Sequence, residues 1–85
     1  MSTDIRDTLH SLFPKDADAL HALKLDNAHF RALADRFETL EKEVHRIEAE
    51  IEPASDDRAE ALKRSRLATL DEIAAMLANF RSQSA

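Results

Sequence analysis

The sequence predicts an all-α protein, a long antiparallel helical hairpin of coiled-coil character preceded by a short helical N-terminal arm. Between Asn27 and Ile51 the apolar residues Phe30, Leu33, Phe37, Leu40, Val44, Ile47 and Ile51 recur at alternating steps of three and four. That spacing holds them on one face of a helix, which needs a second helix to cover it. A second stretch supplies the partner: Leu62, Leu70, Ile73, Leu77 and Phe80 share one face, with Ala59 and Ala74 among them and Leu67 and Met76 at its margins. The two prolines, Pro14 and Pro53, fall where these helices have to break, because proline removes a helical donor and restricts the residue before it.

At 85 residues the chain is read as one domain, whose core alone supplies roughly 3–5 kcal/mol of net stability. There is no cysteine, which excludes disulfides, thiolate metal sites and cysteine nucleophiles and fits a reducing compartment. Nor is there any glycine. The P-loop, the dinucleotide-binding fingerprint and the nucleophile elbow all need backbone without a Cβ at a close approach or a sharp turn, so none is present. The net charge of −5 argues against general adhesion to nucleic acid or to an anionic membrane. The polar start from Met1 to Arg6 and the absence of any long apolar run point to a soluble cytoplasmic protein.

Taken in order, the arm covers residues 1–26. Ser2 or Thr3 caps a short amphipathic helix with apolar positions Ile5, Leu9 and Leu12, which ends near Phe13. Pro14 opens a second short helix, about Lys15 to Leu25, with Leu20 and Leu23 on its inner side. Continuing the heptad backwards would place Asp26 in the core, so the chain breaks there and Asn27 caps the long helix. This first long helix is expected over residues 27–52, with Arg31 and Asp35, Glu38 and Lys42, and Arg46 and Glu50 spaced four apart on its solvated face. Residues 53–55 form the turn. The second long helix is expected over residues 56–81, capped by Ser55 or Asp57, and residues 82–85 are a tail.

The apolar stripe of the second helix has a flaw, because Lys63 and Arg66 fall within or beside it. Folding the hairpin about residues 53–55 brings Arg66 beside Glu43 and Lys63 beside Val44. A Glu43–Arg66 bridge across the hairpin is therefore expected as a register pair, with the basic stems lying along Leu40 and Val44.

The combination Asn27-Ala28-His29-Phe30, Leu33, Asp35-Arg36, Leu40, Glu43-Val44, Arg46 and Glu48, followed by Leu62-Lys63-Arg64-Ser65-Arg66-Leu67 and Asp71-Glu72-Ile73, resembles the YdcH-like family of small bacterial proteins. Phe13-Pro14 and Leu23-Lys24 extend the similarity, which spans about residues 13–77. Several of these residues are polar and are not dictated by the heptads. The chain departs from the family pattern at Ala28, Phe37 and Thr69-Leu70; the last change moves apolar surface around the second helix. The resemblance implies a helical hairpin and carries no established activity, hence no catalytic residues.

The candidate sites are few. His10, His21, His29 and His45 have no pair spaced three or four apart, so no metal-binding helix face is expected; His29 reads as a first-turn residue packed on the arm. Glu48, Glu50, Glu52, Asp56 and Asp57 crowd the hairpin tip but lack the spaced ligands of a calcium loop. Lys63, Arg64 and Arg66 form the one basic cluster. As a phosphate-binding patch it would make the chain a small nucleic-acid-binding protein; the absence of Tyr and Trp weighs against that alternative.

The function read from these features is a non-enzymatic interaction module without cofactor or metal. Packed only on each other, two helices of about 25 residues leave much of each seam side chain exposed. A third surface is needed: the arm, a second hairpin or another protein. The expectation is a symmetric homodimer, with the arm covering Phe30 and Phe80 and with Lys63 and Arg64 facing a protein partner. The full hairpin seam is Phe30, Leu33, Phe37, Leu40, Val44, Ile47, Ile51, Leu62, Leu67, Leu70, Ile73, Leu77 and Phe80.

Overall fold

A computed structural model describes residues 6–50 and 53–84. Among these residues four helices follow in order: α1 (Arg6–Leu12), α2 (Ala17–Asp26), α3 (Ala28–Glu48) and α4 (Asp56–Ser84), with one 3-10 turn, Pro14–Asp16, between the first two. The protein is an all-α helical hairpin. Helices α3 and α4 form it, and α2 packs against both. The molecule measures 46 × 30 × 20 Å with a radius of gyration of 14.1 Å, against roughly 12 Å for a spherical domain of this length. The excess is the length of the hairpin.

One residue makes the break between α2 and α3. Asn27 is extended, at φ −125° and ψ 106°, and its N–H donates to Leu23 O at 2.9 Å, closing α2. Its Oδ1 accepts the Phe30 N–H at 2.9 Å, opening α3, so one side chain satisfies a first-turn donor that the helix cannot. Arg31, one turn into α3, reaches back: its Nη1 donates to Lys24 O at 2.8 Å and to Leu25 O at 3.1 Å. These are orphan carbonyls at the end of α2, where a cation also meets the negative end of the helix dipole.

The first long helix ends at Glu48, short of the expected residue 52. Glu50 adopts φ 60°, while Ala49 N–H donates to His45 O and Glu50 N–H to Ile47 O. This left-handed residue satisfies the last carbonyls and turns the chain before Pro53 can act as the stop. Ile51 and Glu52 lie outside the described residues. Ser55 caps the return helix, its Oγ accepting the Arg58 N–H at 3.1 Å. Helix α4 continues to Ser84 rather than 81, as residues 82–84 contain neither glycine nor proline to stop it.

The core sits at the open end of the hairpin. Leu9 of α1 and Ala19 and Leu20 of α2 form one buried cluster with Phe30, Leu33, Phe37, Ile73 and Leu77. Phe13, Leu23, Ala34, Leu70, Met76 and Phe80 pack around it. The arm therefore closes the end where α3 begins and α4 finishes, covering Phe30 completely and Phe80 in part. An ion pair with its carboxylate buried fastens it: Arg81 Nη1 lies 3.1 Å from Asp16 Oδ1 and 3.4 Å from Oδ2. Toward the turn the buried residues among those described are Leu40, Val44 and Thr69.

Candidate functional site

The seam residues of α3 face inward. Phe30, Leu33, Phe37, Leu40 and Val44 are buried, Ile47 is half-buried, and Ile51 lies outside the described residues. On α4, Ile73 and Leu77 are buried, and Leu62, Leu70 and Phe80 are half-buried. Leu67 breaks the expectation: 59% of it is exposed. The seam of α4 instead passes through Thr69, which is buried. Its Oγ1 donates to Ser65 O at 2.8 Å, which removes the cost of burying a hydroxyl. Two residues along a helix is a rotation of about 200°, so seating Thr69 inward turns Leu67 to the outside.

Glu43 and Arg66 do not meet. Arg66 Nε, sequestered from solvent, pairs with Glu41, and Glu43 pairs with Arg58 across the hairpin at 3.8 Å. Glu41 and Glu43 flank the Leu40–Val44 seam on opposite sides. The turn sets which level of α3 Arg66 reaches, but the rotation of α4 decides which flank it meets. Lys63, expected along Val44, is exposed, and so is His29, expected against the arm.

The candidate surface residues fall on the outside of α4. Arg64 is 78% exposed, its Nε 3.5 Å from Glu60 Oε1, and Lys63 is exposed beside it. Both lie one turn before Leu67, which gives the middle of α4 a patch with an apolar centre and a basic edge. Within the basic cluster Arg66 is turned toward the hairpin and pairs with Glu41, while Arg64 pairs with Glu60 on the outside of α4.

A groove of about 290 Å³ runs between the arm and α3, lined by Leu9, Lys24, Arg31, Ala34, Asp35, Phe37 and Glu38. Arg31 there serves the end of α2. His10, His21, His29 and His45 are exposed, as are Glu48, Glu50, Asp56 and Asp57 at the tip. Among the described residues, no group of three or more His, Asp or Glu can hold a metal ion, and no helix is long and apolar enough to cross a membrane.

Sequence reasoning missed the Asp16–Arg81 pair and the reach of Arg31 to α2. Asp16 carried a signal, an acidic residue just after Pro14 at a helix start; its partner, 65 residues away, carried none.

Fold and surface together define a helical-hairpin domain closed at one end by an N-terminal arm. The model of a family described as a protein of unknown function, DUF465, matches residues 30–77, more than half of the chain, and the protein belongs to this family, which is that of the YdcH-like proteins. No curated protein and no solved structure matches the chain.

Proposed function

We propose that this protein is a non-enzymatic interaction module of the cytoplasm that self-associates and presents the outer face of α4 to a protein. The observation that carries the reading is Leu67. A leucine 59% exposed in the middle of the longest helix, with Lys63 and Arg64 one turn away, combines an apolar anchor with a charged rim. The absence of cysteine fits the reducing compartment. Each long helix spends its inner face on the core, so any partner has to be met from outside.

A photoactivatable cross-linker placed at position 67, with one at the exposed His21 on α2 as control, tests the reading in cells. Adducts are expected from position 67 and not from position 21, at twice 9.6 kDa for self-association and at other masses for another protein. If position 67 gives no adduct of any mass, the reading is wrong.

A further inference from the structure

The outer face of α4 carries a charge pattern that is complementary to itself when reversed. Arg64, Leu67, Ala68 and Asp71 share this face, and all four are exposed. Arg64 and Asp71 stand seven residues apart, two turns along the helix, with Leu67 and Ala68 midway between them. A second α4 laid antiparallel about that midpoint sets Arg64 of one copy opposite Asp71 of the other, and the two-fold axis repeats the contact on the other side. On one flank of the axis Leu67 meets Leu67 of the second copy; on the other Ala68 meets Ala68. One turn further out the same two-fold sets Glu60 of one copy opposite Ala75 of the other, both exposed, so the long side chain at each end meets a short one. A parallel pairing would instead set Arg64 against Arg64 and Asp71 against Asp71, and like charges in register repel.

We propose that the partner of this face is a second copy of the chain, docked as an antiparallel two-fold dimer through α4. The inference rests on the reading of α4 as an interaction surface and names its occupant. The intrachain pair of Arg64 with Glu60 does not compete. It engages Nε at 3.5 Å, and a guanidinium carries further donors for the Asp71 carboxylate of the second copy. The contact from Glu60 to Ala75 is about 22 Å long, which places the buried area at the low end for specific complexes, below ~1,200 Å². The dimer is accordingly one that dissociates on dilution.

The test is the solution mass of the full chain by light scattering from millimolar to low micromolar concentration. The wild-type protein is expected to pass from twice 9.6 kDa to 9.6 kDa. Arg64→Asp and Asp71→Arg are each expected to weaken the dimer at least tenfold while keeping the helical circular dichroism, since both positions face solvent. Mixed in equal amounts, the two variants are expected to recover a dimer, because each supplies the charge the other lacks. A wild-type chain that is monomeric throughout, a dimer indifferent to both reversals, or a mixture that stays monomeric overturns the proposal. Adducts from position 67 with other proteins alone would remove the second copy as occupant and leave the interaction reading standing; no adducts at all would remove both.

Discussion

Glu50 holds φ at 60° in a chain that contains no glycine. The left-handed region brings Cβ close to the following carbonyl oxygen, at a cost of roughly 1–2 kcal/mol for an ordinary residue. The turn accepts that cost because the geometry closes the last carbonyls of α3. Glu50→Gly is therefore expected to raise the unfolding free energy by about 1 kcal/mol, measured by urea denaturation; a neutral or destabilising result would mean that the carboxylate itself holds the turn. Asp16 presents the opposite case, a charge kept inside. Its side chain is 7% exposed and that of Arg81 59%, so removing the arginine strands a carboxylate that has already lost its water. Arg81→Met is expected to cost about 1–3 kcal/mol, and adding Asp16→Asn to recover part of the loss. Equal stability of the Arg81 variant and the wild type would show that water already serves the carboxylate.

At the scale of the helices, the question is how α3 and α4 choose their register. Interdigitated apolar side chains resist sliding, and charged pairs on the flanks add a preference of their own. Arg66 with Glu41 and Arg58 with Glu43 join the two helices on the side of the turn. A double-mutant cycle on Glu41 and Arg66 is expected to give a coupling of about 0.2–1 kcal/mol, as for partly exposed pairs. The same cycle on Glu43 and Arg66 is expected to give none. Coupling in the second cycle and not the first would restore the bridge read from the sequence. That bridge was legible as a level along the hairpin, since turn position and helical rise are local quantities. Its flank was not, because rotation of α4 about its own axis depends on which residue, Thr69 or Leu67, the core accepts. A sequence rule that ranks leucine above threonine for burial chooses wrongly here: Thr69 satisfies its hydroxyl within its own helix.

For the whole molecule, the arm decides the outcome. The family match begins at Phe30, yet the buried cluster that holds Phe30 also contains Leu9, Ala19 and Leu20, all before it. The hairpin on its own would leave that end of its seam in water. Leu20 is fully buried at this junction, and Leu20→Ala is expected to cost about 2–5 kcal/mol, comparable to the whole stability of a domain this small. The expected result is loss of a cooperative thermal transition followed by circular dichroism. A transition lowered by only a few degrees would show that the hairpin stands without its arm. Because the arm already covers the open end, self-association is not needed to close the core, and the dimer proposed through α4 uses the outside of the hairpin.

What the sequence determined by itself was everything governed by neighbours within a turn or two. The heptad on α3, the break and cap at Asn27, the narrowing of the α4 cap to Ser55 or Asp57 and the Glu38–Lys42 pair, at 3.5 Å, all follow from spacings of three or four residues or from a cap. The tertiary structure alone decided the docking of the arm, the Asp16–Arg81 pair, the partner of Arg66 and the exposure of Leu67. Each of these depends on the relative rotation and placement of helices distant in sequence. That choice is made by burial and by the satisfaction of polar groups over the whole core, which no local spacing records.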